Sequence, residues 1–378
     1  MKILITVGIY PPDIGGPASF VPKIAKLLNK NNHNVKVICL TDEKKIDRES
    51  YFVRRILRNQ NLVIRWIKTV LTIIRHGYDA DVIFVNGLPM ESYVANIFLR
   101  KKIVRKVVGD WAWERGRNKG LTEDSFDEFQ INSHNIQLEV AKFARGWTAT
   151  KADIVITPSI HLSNVVNNWG VDREKIRVLY NGTKISNEQI IRKDIQNKFK
   201  FITVGRLAPF KNIDSIIEAI AELKQVNMDI FLYIVGSGPM EKSLKKLSKD
   251  LNLENNILFT GQKTPEELKK YYLDSNIYIQ ASGYEGLPHV LLEAINYELA
   301  LISTPIGGSN EVLEGGKNGW LIDLVEGKRP DPIQLSEVML EVMKSKQSRD
   351  IKIKSAKNIL KEKFDEENNF NEYIRLLF

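Results

Sequence analysis

Short runs of aliphatic and β-branched residues alternate with helical spacings along the whole chain, the order expected of βαβ units and parallel sheets. In the first half the pattern predicts strands at Lys2 to Ile9, Val35 to Leu40, Asp81 to Asn86, Ile103 to Val108, Asp153 to Thr157 and Ile176 to Leu179. In the second half it predicts them at Lys200 to Val204, Ile230 to Val235, Asn256 to Phe259, Asn276 to Gln280, Leu301 to Ser303 and Gly319 to Ile322. One helix start is explicit: Thr264-Pro265-Glu266-Glu267 is a capping box with proline at the first helical position. Two successive α/β series predict two doubly wound domains, residues 1–182 and 183–360, with the boundary in the polar stretch Asn181 to Lys200. Residues 361–378 are expected to form a separate, amphipathic terminal helix. In such folds ligands bind beyond the carboxyl ends of strands, so the chemistry is sought in the loops that follow them.

Composition narrows the classes. A chain of 378 residues, 43% hydrophobic and 27% charged, buries a sizeable core and is neither disordered nor low in complexity. The single cysteine, Cys39, excludes an intramolecular disulfide framework and suits a reducing cytoplasm. Net charge is +9, unevenly placed. Residues 1–182 hold 28 Lys and Arg against 18 Asp and Glu, a net +10, which leaves 27 against 28 for the rest. The first half is therefore the side expected to meet an anionic partner. The opening apolar run stops at Pro11-Pro12-Asp13 without a small-residue cleavage site, so no signal peptide is expected. The most lipid-like stretch, Asn61 to Gly77, carries Arg65, Lys68 and Arg75 and falls short of the ~20 apolar residues of a spanning helix.

Glycine-rich turns follow several strands. Gly15 and Gly16 precede a helix expected near Ala18; adjacent glycines there admit close approach of an anion to the helix N-terminus, or simply make a tight turn. Val235-Gly236-Ser237-Gly238-Pro239 begins like a dinucleotide fingerprint, but Glu241 replaces the third glycine and no acidic residue ends the next strand at Phe259-Thr260-Gly261. That disfavours a nicotinamide-dependent oxidoreductase, and the absence of GxxxxGK[ST] leaves a P-loop nucleotidase unsupported. Arg206 and Lys211, just past the strand ending at Val204, could hold a diphosphate without a metal, or be two solvated cations. Asn212 is expected to cap the helix that follows.

Glu285 and Glu293 are the most informative pair. Gly286 and Pro288 place Glu285 in a loop, with a helix opening near Pro288 and Glu293 further along it. Even on a continuous helix their Cα atoms would lie about 12 Å apart, which argues against a glycosidase pair flanking one bond. They are expected to touch different parts of one extended ligand, with the helix N-terminus between them open to phosphate oxygens.

This pattern, Glu285-x7-Glu293 within YEGLPHVLLEA, resembles the signature of the retaining glycosyltransferases of family 4. Gly205-Arg206-Leu207 with Lys211-Asn212, Gly15-Gly16, Tyr180-Asn181-Gly182, and Ile306 to Val312 with Gly316 to Gly319 extend the resemblance over nearly the whole chain. It implies a GT-B fold: two Rossmann-like domains facing across a cleft, with the terminal helix returning to the first. It also implies transfer of a hexosyl-type sugar from a UDP- or GDP-linked donor to a glycan or lipid-linked acceptor. By the same resemblance Arg206 and Lys211 clamp the diphosphate and Glu293 binds the ribose. Glu285 touches the transferred sugar, the Gly286 and Leu287 amides lie near the phosphates, and Gly15, Gly16 and Gly236 belong to the donor-side loops. No cofactor or metal is expected. Asp79-Ala80-Asp81 matches a DxD metal motif literally, but it precedes its strand and so stands at the wrong end for a site.

The chain departs from the family where many members carry a pocket histidine. Here the loop reads Val108-Gly109-Asp110-Trp111-Ala112-Trp113, and Asp110 is the candidate catalytic group, with Trp111 and Trp113 stacking on a sugar or packing under the loop. Asn86-Gly87, at the end of the third predicted strand, is a further candidate. Where relatives have Gly-x-Pro-Val this chain has Glu298 to Leu301, a change confined to a turn. Arg58, Asn61, Arg65, Lys68, Thr72 and Arg75 share one polar arc of a predicted helix whose remaining surface is apolar. A second basic cluster, Arg100 to Lys106, follows. Such a helix can lie on an anionic membrane or pack inward with a solvated edge, and the expected place of work is the cytoplasm, peripheral on the inner face of its membrane. A GT-B-fold sugar-nucleotide epimerase is the alternative, with Arg206, Lys211 and the two glutamates favouring transfer. Nucleic-acid binding has no recognisable motif behind it.

Overall fold

The computed structural model describes residues 1–13, 15–43, 49–185, 190, 198–226 and 228–377. Most of the expected boundary, Asn181 to Lys200, and Ile14 of the first glycine loop lie outside them. The chain divides into two compact units: Met1–Thr122 with Ser133–Leu179 and Phe370–Phe378, and Glu123–Asn132 with Tyr180–Asn369.

In the first unit, β1 (Lys2–Val7), β2 (Asn34–Thr41), β3 (Phe52–Leu57), β4 (Val82–Val85), β5 (Lys102–Lys106), β6 (Ile154–Thr157) and β7 (Ile176–Val178) form one parallel sheet in the order β3-β2-β1-β4-β5-β6-β7. In the second, β8 (Phe199–Val204), β9 (Ile230–Val235), β10 (Ile257–Gly261), β11 (Ile277–Gln280), β12 (Ala300–Ser303) and β13 (Trp320–Leu321) form another, in the order β10-β9-β8-β11-β12-β13. Central strands are apolar on both faces because helices cover both; β4, β11 and β12 are buried throughout. Strand order reverses between β1 and β4, and again between β8 and β11. Those two points are where a doubly wound sheet opens a crevice for ligands.

β3 was not expected. Its sequence, FVRRIL, interrupts an apolar run with Arg54 and Arg55, which an edge strand tolerates because one side faces solvent. The basic helix consequently begins at Leu62, with Asn61 capping it by accepting from Val63 N at 2.9 Å. Arg58 is not on that helix. It follows β3 and binds Asp13, Asp42 at 2.7 Å and the Gly8 carbonyl at 3.0 Å, holding the loop after β1. Chiefly through the Arg58 hydrogen bond, the Asp13 carboxyl is held below its ordinary value of 3.8. This stabilisation is complete above that value and is lost as pH falls through the folded one. Arg58→Met should therefore remove roughly 1 kcal/mol at neutral pH, and the gap to the parent should close in acid unfolding below the ordinary value.

The terminal helix, Glu366–Leu377, buries Phe370, Tyr373 and Leu377 in the first unit's core. Phe20 meets Phe370 at a ring-centroid distance of 5.4 Å and Tyr373 at 5.0 Å, and the Tyr373 hydroxyl donates to Leu179 O at 3.0 Å. Phe370→Ala is expected to cost about 3 to 5 kcal/mol, measurable by denaturant unfolding. Residues 123–132, expected in the first domain, group with the second unit instead. Their short helix, Phe126–Ile131, starts in a Ser125–Glu128 capping box and stacks Phe126 on Tyr284 at 3.7 Å between centroids. Tyr180 to Gly182 also fall in the second unit, with the Tyr180 ring edge-on to Phe364.

Candidate functional site

The crevice of the second unit is built by three loops. After β8 the chain turns through Gly205-Arg206-Leu207 into a short 3₁₀ turn, Pro209–Lys211, and the helix Ile213–Gln225. After β9 comes Gly236, at φ +139°, where a Cβ would overlap the Gly205 carbonyl. The two loops interlock: Gly205 N donates to Val235 O and Leu207 N to Ser237 O, each at 3.0 Å. Gly236 thus serves the packing of one backbone against another. After β11 the chain runs through Ser282-Gly283-Tyr284-Glu285-Gly286-Leu287 to the helix His289–Asn296.

Asn212 joins the first of these loops to the third. It does not cap its helix as expected: it sits at φ +48° and makes no side-chain cap bond. Its buried carboxamide instead donates to Ala281 O at 2.9 Å and Lys328 O at 2.8 Å, and Phe210 O accepts from Gly283 N at 2.7 Å. These bonds bring Lys211 to Glu285, 74 positions away in sequence. The Lys211 ammonium pairs with Glu285 Oε1, to which Ser282 Oγ also donates at 2.7 Å. Both partners are mostly buried, so the pair is far less screened than a surface ion pair. Arg206, Lys211 and Glu285 line one small pocket together with Gly205, Gln280 and Ser282. Arg206 is exposed.

Glu293 lies on the helix, half-buried, and accepts from the Tyr272 hydroxyl at 3.1 Å. Tyr278 lies buried on β11, and burial pushes its hydroxyl well above its ordinary value, with the Glu285 and Glu293 carboxylates adding to the effect. Both carboxylates thus act on one buried phenol. Beneath them Gln280 Nε2 donates to Ser309 Oγ at 2.8 Å. Gly286 and Leu287 are fixed from the other side: Gly308 N donates to Glu285 O at 3.2 Å, and Gly307 and Gly308 allow backbones to touch. Ser282, Tyr272 and Tyr278 carry no signal in the sequence beyond their nearness to motif residues, and Asn212 reads there only as a helix cap.

In the first unit Gly15 and Gly16 are exposed at the start of the helix Gly16–Lys30. Asp110 is fully buried. It caps the helix Trp111–Asn118 by accepting from Ala112 N at 2.9 Å, and it pairs with Arg145. That places its carboxyl within the fold, where burial disfavours direct contact with a substrate. Trp113 is 1% exposed and packs in the core, whereas Trp111 lines a groove with Leu121, Ile136 and Val140. Asn86, at the carboxyl end of β4 beside the reversal of strand order, is 7% exposed, and both polar atoms of its carboxamide lack a hydrogen-bond partner among the described residues. Asp79 and Asp81 bind Lys36 Nζ and the Lys2 amide, each at 2.7 Å, which anchors the amino ends of the strands. Among the described residues no cluster of His, Cys, Asp or Glu is suited to a metal ion.

Residues 14–187 match the model described as glycosyltransferase family 4, and residues 186–359 match glycosyl transferases group 1. The chain belongs to the group 1 glycosyltransferases of the family 4 type and has the GT-B fold. An uncharacterized glycosyltransferase of Methanocaldococcus jannaschii is 32% identical over 235 residues, 60% of this chain and 58% of that one. The N-acetylgalactosamine-N,N'-diacetylbacillosaminyl-diphospho-undecaprenol 4-alpha-N-acetylgalactosaminyltransferase of Campylobacter jejuni is 26% identical over 84% of this chain and 85% of its own. Among solved structures, Anabaena HepE in complex with UDP and glucose superposes with a TM-score of 0.80 at 18% identity, covering 100% of this chain and 99% of that one.

Proposed function

We propose that the chain is a retaining glycosyltransferase. It moves a hexosyl-type sugar from a UDP- or GDP-linked donor to a hydroxyl of a glycan or lipid-linked acceptor, in cell-surface polysaccharide or glycolipid synthesis. The observation that carries this reading is the convergence of Arg206, Lys211 and Glu285 on one pocket at the reversal of strand order between β8 and β11. A diphosphate across Arg206 and Lys211 meets a planar fork and a point charge. As the bond from sugar to phosphate breaks, negative charge grows on the leaving diphosphate. Lys211, already held by Glu285, and Arg206, with the N-terminus of the helix His289–Asn296, stabilise that charge more than they stabilise the ground state. Two such cations can supply the charge that a divalent ion would otherwise bring. Lys211 has three donors, so it can hold Glu285 and a phosphate oxygen together, orienting Glu285 toward the hydroxyls of the transferred sugar. Glu293, held by Tyr272, is suited to the ribose. The names of the relatives favour a UDP-linked donor and an acceptor carried on a polyprenyl diphosphate. That acceptor favours peripheral work on the inner face of the cytoplasmic membrane, and no described helix is long and apolar enough to cross one.

Calorimetry with UDP-, GDP- and dTDP-sugars, followed by a transfer assay with the best binder, tests the reading. Donor binding should weaken in Arg206→Ala and in Lys211→Ala; no binding by any sugar nucleotide, or full binding by both variants, would overturn it. On the acceptor side, the Asn86 carboxamide offers one donor and one acceptor group to a polyol. Asn86→Ala should raise the acceptor KM by about one to two decades, from ~1–3 kcal/mol of lost hydrogen bonding, and leave the donor Kd unchanged.

A further inference from the structure

We infer that the outer face of the helix Leu62–Gly77, with the adjoining edge strand β3, is a docking surface for an anionic phospholipid bilayer. The expected basic edge was only part of what this helix presents. Its inner face buries Thr69, Val70, Ile73 and Gly77. Ile64, Ile67, Lys68, Leu71 and Arg75 recur at the spacing of a single helix face, and that face points outward. Val63, Ile64, Ile67 and Leu71 are between 48% and 64% exposed, although a soluble helix normally turns such residues inward. Phe52 on β3, 45% exposed, lines the same concavity as Ile64, Ile67 and Leu71.

Charge complementarity selects the occupant. Arg54, Lys68 and Arg75 surround this apolar concavity together with His76, whose imidazole is held by burial below its ordinary value and so uncharged at neutral pH, and none of the described residues lining it is acidic. A cationic rim around exposed aliphatic side chains matches phosphates above hydrocarbon, with the lysine and arginine stems lying along the apolar surface. A neutral protein partner would gain nothing from the rim. The net +10 of residues 1–182 acts in the same direction at longer range. The inference rests on the peripheral placement proposed above, gives it a surface and a lipid charge, and does not depend on the donor chemistry.

The test is flotation of the full chain with phosphatidylcholine vesicles, with and without phosphatidylglycerol. Binding is expected only with the anionic lipid and should weaken with salt. Lys68→Glu with Arg75→Glu should lower the bound fraction at least about tenfold. Ile67→Ser with Leu71→Ser should lower it by a similar factor, even at low salt. All four positions are at the surface, so both variants should keep the parent's unfolding midpoint and donor affinity. Absence of binding to anionic vesicles, or binding unchanged in both variants, would overturn the inference. So would a dimer in sedimentation that the serine variant abolishes, since the face would then pair with another chain. Because no donor is present in the flotation, its failure would leave the transferase reading untouched, whereas loss of donor binding in calorimetry would leave the docking surface untouched.

Discussion

Replacing Lys211 by alanine is expected to lower kcat/KM for sugar transfer by about two decades or more, with Arg206→Ala losing one to two. A charge-assisted hydrogen bond is worth roughly 1.5 to 3 kcal/mol, which alone corresponds to a factor of about 10 to 150. Lys211 carries the larger share because it has two tasks. It faces the pocket, and it neutralises Glu285, whose side chain is only 13% exposed. Without it that carboxylate is left in a poorly solvated site with Ser282 as its remaining donor in the pocket, and it would repel the leaving diphosphate. Arg206 is exposed, so water replaces part of what it loses. If both cations act mainly on the leaving group, kcat should fall more than donor affinity. Initial rates across donor concentrations decide this, and Lys211→Arg should recover part of the loss because it restores the charge but not the geometry. Equal kcat in Lys211→Ala and the parent would remove the leaving-group role altogether.

Much of this site could be read from the chain because parallel strands buried on both faces leave unmistakable apolar runs, and loops after strands are then the places to look. Every expected strand from Lys2 to Ile322 has a counterpart within a few residues. What escaped was set by neighbours distant in sequence. β3 was hidden by Arg54 and Arg55, acceptable there because β3 lies at the edge of its sheet. Arg58 carried the helical spacing of the residues after it but was claimed by Asp13. Asp110 was a candidate by its loop alone, whereas its burial, its helix cap and its pairing with Arg145 are properties of the packed unit. Asn212 had the composition of a helix cap and acts as a clasp between loops. The resemblance named Lys211 and Glu285 separately. Their contact follows from β11 lying beside β8, which no local pattern records.

Gly307→Ala should unfold or severely loosen the second unit, and its effect on activity should exceed that of any change at Gly15 or Gly16. Gly307 sits at φ +48°, in the left-handed region that costs a side chain about 1 kcal/mol or more. A Cβ there would also overlap the carbonyl of Glu285, and one at Gly308 would overlap that of Gly286. These are backbone atoms, so no side-chain rotation relieves the clash. The loop that holds Glu285 against Lys211 has to move. A loss of at least about 3 kcal/mol in denaturant unfolding is expected from strain and displacement together. Gly16 supplies the contrast, because a Cβ added there meets none of the described residues within 4 Å. Gly16→Ala should keep the parent's unfolding midpoint and report only on whatever ligand approaches that turn. If Gly307→Ala kept both its midpoint and its donor affinity, the position of Glu285 could not depend on the two backbones touching. The pairing with Lys211 and the Asn212 and Gly283 bonds would then have to hold the loop without that contact.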